Sequence, residues 1–426
     1  MRDRFDLTLS TTSQAAADAY VRAVDNLLAA GADLVEGFDA ALVLDPGFAL
    51  AHIGRARCLA TYARGAEARE AAARADACVA GASARERSHV AALTLQIHGR
   101  GAEALAAIRT HLTEYPRDAM VLQPATGIFG LIGFSGRMER EVELLAILDG
   151  LAPHYGDEWW FASIHAFAEC EAGRLAQAEA RIERALAAAP RNGNAAHVKA
   201  HVHYELDQPG PSAGFLRDFL AAYPANALLR GHLSWHLALL ELGAGNAQAA
   251  HALYADAFGA PLDGRGPPTP PLNVLTDAVS WLWRTELVGD SPHSSDWPKL
   301  AAYARERFPS AGIAFADLHA AAAYARAGQG EALERLIDST RALGVDRPAL
   351  RAAGALGEGL AAYARGDWQT AARLLAEYRD ENARVGGSHA QRELVDRTLL
   401  QALARLDDTA GRVKLSAART QILAGV

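Results

Sequence analysis

The sequence predicts an all-α protein, a right-handed superhelical solenoid of helical hairpins, and three observations carry that prediction. One set of prolines falls at positions 46, 116, 153, 190, 224 and 261, spaced by 70, 37, 37, 34 and 37 residues, the first interval being close to two units of 35. Such a period marks a repeat architecture. Between successive prolines lie two amphipathic segments of roughly 12 to 15 residues joined by a short turn centred on Gly or Asp, which suits a helical hairpin. Composition agrees: the 426-residue chain is half hydrophobic, only 7% aromatic and rich in alanine, a balance that favours helix over sheet.

Taken in order, the clearest copy runs from Trp159 to Gly173 and then from Leu175 to Pro190. Its Ala178, Ala185 and Pro190 stand where a tetratricopeptide unit places small residues for close helix contact and a proline that cannot continue the helix. The next unit spans Asn194 to Pro224 with Asp207 at its turn, and a third spans Leu229 to Pro261 with Gly243. From Leu262 to Leu275, Pro267, Pro268, Pro270 and Pro271 surround Gly264 and Gly266, a composition that reads as loop. A second irregular run covers Gly289 to Pro298, after which hairpins resume at Phe315 to Leu343 and Leu350 to Val385. The expected organisation is N-terminal hairpins over 1–261, a Pro/Gly-rich loop over 262–275, and C-terminal hairpins over 276–426 that continue the same solenoid. The uncharged stretch 119–136 holds a proline and four glycines and reads as a buried hairpin segment, not a membrane span.

Charge and cysteine usage narrow the partners. A net charge of -8 gives no electrostatic footprint for nucleic acid or an anionic membrane, so neither is expected as a partner. Cys58, Cys78 and Cys170 form no CxxC pair and read as reduced small hydrophobes. The first residues, Met1 to Asp6, lead into no apolar run of the kind a secretory signal needs, and a cytoplasmic location is expected.

Five of the fifteen histidines, His197, His201, His203, His232 and His236, fall within 40 residues. Residues four apart share a helix face, so His197, His201 and Glu205 form one stripe and His232 with His236 another, while His203 points elsewhere. If Gly173, Asp207 and Gly243 mark equivalent turns, then Glu171, Glu205 and Glu241 are equivalent and face the groove, as do His197 and His201. The same register sets His232 and His236 nearer the seam inside the hairpin. Imidazoles beside a carboxylate can move protons, hold an anion or ligate a metal. His197, His201 and Glu205 plus one histidine from the next helix have suitable atom types for a metal, but HExxH is absent and nothing in the sequence fixes a tetrahedron. No metal and no cofactor are therefore assigned.

Longer motifs resemble a known family. The run from His232 through Trp235, His236 and Glu241 to Gly243, the pairs Ala196-His197 and Ala200-His201, and the late Gly386-Gly387-Ser388-His389-Ala390-Gln391-Arg392 are similar to the tetratricopeptide repeat protein 38 family. So are Asp277 to Arg284, with Ser280, Trp281 and Trp283 inside it, and Phe315-Ala-Asp317-Leu-His319. The likeness runs in order along nearly the whole chain. It implies a solenoid closing around an interior lined by His197, His201, His232, Trp235, His236, Asp277, Arg284, His319, His389 and Arg392, and it implies no settled reaction. His203 and His165 are not part of the pattern.

Individual residues keep two readings at this point. Trp235, Trp281 and Trp283 suit core packing as well as a ligand platform. Arg284 can pair with Asp277 two turns earlier or clamp an anion. Gly386-Gly387-Ser388 can be a loop whose Ser388 caps a helix carrying His389 and Arg392 in its first turn, or an anion cradle. Walker A, GxGxxG, GxSxG and CxxC signatures are absent.

The leading functional expectation is a groove that binds a small polar or anionic ligand, or a peptide, through His197, Glu205, His232, Trp235, Trp283, Arg284 and Arg392. The alternative is a cofactor-independent acid/base hydrolase or lyase using His201, His236, Asp277, His319 and His389. A third is an open protein-interaction scaffold. On either of the first two readings the site is built from both halves of the chain.

Overall fold

The structure, a computed structural model, describes residues 1–415. Among these residues the regular structure is helical, with one isolated β-bridge between Arg2 and Thr8. The chain is a solenoid of tetratricopeptide-like hairpins. In the middle repeats Trp159–Glu171 packs on Leu175–Ala188, Gly193–Glu205 on Pro209–Ala222, and Arg230–Gly243 on the shorter Ala247–Leu253. Each hairpin turns through a left-handed residue, at Gly173 (φ 81°), Asp207 (φ 54°) and Gly245 (φ 82°).

Those three turns correct the register read from the sequence. Asn246 N–H bonds to the Glu241 carbonyl just as Gln208 bonds to His203 and Arg174 to Glu169. Glu241 is thus equivalent to His203 and Glu169, two residues away from the position of Glu171 and Glu205. Gly243 is helical and Gly245 makes the turn. Accordingly the buried Glu241 carboxylate turns to Arg217 (2.7 Å) and Asn246 (2.8 Å) and takes no part in the histidine stripe.

The proline punctuation follows the helices in most units. Pro46, Pro116, Pro190 and Pro224 come within two residues of the ends of Leu34–Leu44, Gly101–Glu114, Leu175–Ala188 and Pro209–Ala222, where no further N–H is available to continue the helix. Pro153 differs, lying inside the last turns of Arg140–Tyr155. After a π-helical turn at Tyr254–Phe258, the Pro/Gly-rich run is irregular only to Pro270. Pro271 begins a 17-residue helix, Pro271–Leu287, at the first helical position, where an N–H would have no acceptor within the helix. The C-terminal hairpins are then Trp297–Arg307 with Ala314–Arg326, Gly330–Leu343 with Pro348–Ala364, and Trp368–Glu377 leading to His389–Arg405.

The stretch 119–136 is not a hairpin. One helical turn, Ala119–Leu122, and a 3-10 turn, Gln123–Ala125, give way to irregular backbone through residue 139. Gly130 and Gly133 explain this: a Cβ on either would lie within 2.2 Å of the carbonyl oxygen of Thr126 or Ile128. The chain folds tightly on itself there and presents carbonyls outward. Arg140 reaches both the Gly133 carbonyl and, at 2.8 Å, the Gly387 carbonyl 247 residues on, and Arg384 bonds to the Gly136 carbonyl at 3.0 Å. Phe129 and Phe134 stack on each other and meet Phe315 at a tilt across the same junction.

A second long-range closure ties the first hairpin, Gln14–Leu28 with Leu34–Leu44, to the middle repeats. Gly193 N–H bonds to the Ala29 carbonyl (2.8 Å), Asn194 Nδ2 to the Leu28 carbonyl (2.6 Å) and Leu228 N–H to the Gly31 carbonyl (3.0 Å). Together the two closures wind the superhelix back on itself. They bring His389–Arg405 against the first helices of the middle hairpins, and the polar site forms between them. None of the described helices is long and apolar enough to cross a membrane.

Candidate functional site

Two consecutive first helices supply the centre of the site. Along Gly193–Glu205, His197 and His201 are one turn apart, and along Arg230–Gly243 so are His232 and His236. Alanines at 195, 196, 200 and 238 leave the backbones free to approach, and all four imidazoles are buried between them, His201 completely. One ring nitrogen from each lies within 4.8 Å of the others. His197 Nε2 is 2.9 Å from His201 Nε2 and 3.0 Å from His232 Nε2. The sequence register had set the second pair apart at the seam, and the structure instead joins both pairs in one cluster.

The next first helix orients the cluster. Asp277, on Pro271–Leu287, has both carboxylate oxygens 3.0 Å from His232 Nδ1. Trp235 stacks flat on His232 with centroids 5.3 Å apart and is fully buried, its indole N–H without a partner among the described residues. His201 Nδ1 and His236 Nε2 are likewise buried and unpartnered there. Burial, with the neighbouring imidazoles adding to it, holds His197 and His236 well below the ordinary histidine range and His201 down to about 3. His197, His201 and His236 are therefore held in their neutral form at physiological pH.

One turn beyond His201 the chemistry changes. Glu205 accepts from His389 Nδ1 at 3.0 Å, and His389 Nε2 lies 3.8 Å from Glu141. The atom types of His197, His201 and Glu205, weighed as metal ligands from the sequence, do not converge, because Glu205 turns to a partner 184 residues away. Burial disfavours the His389 cation, but Glu171, Glu141 and Glu205 around it raise its pKa to about 10. Burial also opposes ionisation of Glu141, yet His389, Arg392 and Arg140 bring that carboxyl down to about 2. Glu171 moves the other way, raised chiefly by burial, and neither of its oxygens has a partner among the described residues. A cavity of about 30 Å³, room for one water, lies beside Glu171, Glu141 and Arg140.

Ser388 caps the helix that delivers His389, in a capping box with Gln391, and Arg392 in the same first turn bonds to the Gly387 carbonyl (2.8 Å) and to Glu141 (3.0 Å). Gly386 and Gly387 have φ of 108° and 81°, and a Cβ on them would meet Phe134 at 2.8 Å and Phe315 at 2.7 Å. Only glycine fits this approach, and the run is a structural junction whose carbonyl is occupied by two arginines.

Arg284 does not pair with Asp277. It is buried against Ser280 Oγ (3.2 Å), Glu393 (3.3 Å) and the Ala390 carbonyl (2.6 Å), with its guanidinium 5.8 Å from the Trp235 ring. Trp283 points into the C-terminal core, donating to Thr398 Oγ1 at 2.8 Å and packing near Trp297 and Tyr363. His319 is held by the Phe315 carbonyl at 2.7 Å and pushed by burial down to about 4, outside the four-histidine cluster.

Beside His236 and Arg284 a cleft of about 600 Å³ opens to solvent, lined also by His203, Tyr204, Glu393 and Arg397. Sequence reasoning set His203 aside and did not single out Arg140, Glu141, Glu393 or Arg397. His203 lies off the stripe of its own helix but on the side where the next hairpin parts from His389–Arg405, and only the assembled superhelix creates that wall. His165, also set aside, sits elsewhere, against Asp149 at 2.8 Å.

No family model matches this chain. Among solved structures, it is similar to the human IFIT1 dimer with PPP-AAAA at 12% identity, TM-score 0.45, over 99% of this chain and 97% of that one. It is also similar to yeast Tom70 at 12% identity and TM-score 0.36, over 96% and 84%, and to the P58(IPK) TPR domain at 13% and 0.21, over 92% and 99%. At these scores the likeness carries nothing about the site.

Proposed function

We propose that this solenoid binds a small polar or anionic ligand in the cleft between its middle hairpins and the late helix His389–Arg405. The supporting observation is a cleft of about 600 Å³ that has buried His236 and Arg284 at its floor and His203 and Arg397 on its wall. That volume suits a small molecule, and a few convergent polar groups in a largely apolar lining are how such sites fix orientation. Arg397 is about half exposed while bonded to Glu393 at 2.8 Å, so it can turn to an incoming carboxylate or phosphate without unfolding anything. The family resemblance and the reading of 1–261 and 276–426 as one continuous solenoid belong to the same proposal, residues 416–426 lying outside the described ones, as does a cytoplasmic location.

The test is a thermal-shift screen of the full chain against small carboxylates, phosphates and neutral polar compounds. A compound that stabilises the wild type should lose its effect in Arg397→Ala and His203→Ala, both on the cleft wall. Equal stabilisation of wild type and both variants would refute the assignment.

A second reading, an acid/base enzyme, has its own support in the Glu171–His389–Glu141 group. There a carboxyl raised by burial faces a histidine raised to about 10 by its acidic neighbours, the separation of proton affinities that acid/base pairs use. Turnover of a stabilising compound by wild type but not by Glu171→Gln would favour it over simple binding.

A further inference from the structure

We propose that His197, His201, His232 and His236 form a tetrahedral site for a divalent transition metal of the zinc class, with Asp277 orienting His232 from behind. Metal binding at this site does not depend on a ligand occupying the cleft.

Hydrogen accounting carries the inference. A neutral imidazole has one N–H and one lone pair. Asp277 accepts at His232 Nδ1, so that nitrogen bears the proton and His232 Nε2 is a lone pair. To bond His232 at 3.0 Å, His197 Nε2 must then be the N–H, and it has no lone pair left for His201 Nε2 at 2.9 Å. His201 Nε2 must also accept, which puts two lone pairs on a single N–H and places the His201 proton on Nδ1. That atom is buried with no partner among the described residues, as is His236 Nε2. The cluster cannot be satisfied as a hydrogen-bond network.

A divalent cation resolves the conflict, because every converging lone pair becomes a ligand. Zn–N bonds of about 2.0–2.1 Å in a tetrahedron place neighbouring nitrogens roughly 3.3–3.4 Å apart. The ring nitrogens now lie within 4.8 Å of one another, the closest pairs at 2.9 and 3.0 Å, so side-chain rotations that shift these atoms by about 1.5 Å or less complete the geometry. Four imidazoles with no water or carboxylate suit zinc, cobalt, nickel or copper over magnesium or calcium. Asp277 on His232 Nδ1 is the carboxylate–histidine arrangement that fixes the tautomer and raises ligand basicity. His236 also borders the cleft, which places the metal at its floor and lets it clamp the first helices of two adjacent hairpins.

The probe is Co²⁺ alone, added to the full chain after treatment with chelator. The expected result is one Co²⁺ per chain with the strong visible absorption of a tetrahedral ion, displaced by Zn²⁺, together with a raised melting temperature. His197→Ala should abolish the spectrum, His154→Ala at an exposed site should not, and Asp277→Asn should weaken Zn²⁺ binding roughly 10- to 100-fold. If circular dichroism shows His197→Ala unfolded, His236→Gln at the cleft edge replaces it. Absence of stoichiometric Co²⁺ in the folded wild type, a six-coordinate spectrum, or unchanged affinity in the folded variant would overturn the proposal. No small ligand is present in these experiments, so failure of the cleft reading would leave their outcome untouched.

Discussion

Replacing His389 by Gln should remove a pH-dependent part of the stability. In the folded chain His389 is surrounded by Glu205 at 3.0 Å, Glu141 at 3.8 Å and the buried Glu171, and these acids lift its pKa to about 10. An unfolded histidine titrates near 6.5, and each pH unit of difference corresponds to about 1.4 kcal/mol, so the ionic limit is roughly 5 kcal/mol. Solvent at the half-open edge of the site reduces the expected value to roughly 2–4 kcal/mol. The sign follows from a raised folded pKa. The contribution is fully present below about pH 6.5 and is lost as pH rises through about 10. Urea denaturation of wild type and His389→Gln in parallel at pH 6, 7.5 and 9 isolates it, because other titrations cancel in the difference. The gap between the two should narrow steadily with pH. A gap that stays constant or widens would mean that His389 is not held as a cation by these acids.

Other substitutions test the closure and the core. Gly387→Ala should destabilise by about 1–3 kcal/mol through positive φ and a Cβ 2.7 Å from Phe315, while Gly214→Ala, inside Pro209–Ala222 with nothing within 4 Å, should stabilise by about 0.5–1 kcal/mol; differential scanning calorimetry reads both. Asp118, buried between Arg85 (2.7 Å), His89 (2.9 Å) and His111 (3.2 Å), should cost about 3–5 kcal/mol as Asp118→Asn, seen as a lowered denaturation midpoint. Trp283→Phe should cost about 1–2 kcal/mol by losing the bond to Thr398, without altering Co²⁺ or ligand binding, since that indole lies in the C-terminal core.

The hairpins were legible because their signals are local. A left-handed Gly or Asp and a terminating proline act within one turn of the chain, and Gly173, Asp207, Pro190 and Pro224 do as read. The register slipped at Gly243 because two glycines, 243 and 245, stand at the end of one helix, and sequence cannot say which takes positive φ. The i,i+4 pairs His197/His201 and His232/His236 were equally local. Their meeting was not, since it depends on how neighbouring first helices face each other. Glu205 turning to His389, Arg140 reaching Gly387, and Arg284 choosing Glu393 over Asp277 are contacts across 106 to 247 residues, set by superhelical closure. Arg140 and Glu141 carry no local signal, since their roles come from the Gly133 and Gly387 carbonyls and from Arg392, which only the closed superhelix brings to them.

The most direct test of the central claim, that the closed superhelix seats a small molecule between its middle hairpins and its late helix, is native mass spectrometry of the intact chain with the best compound from the thermal screen. The account predicts a one-to-one complex that Arg397→Ala and His203→Ala each lose while remaining folded. A complex retained in both variants, or a chain that binds none of the carboxylates, phosphates or neutral polar compounds, would contradict it.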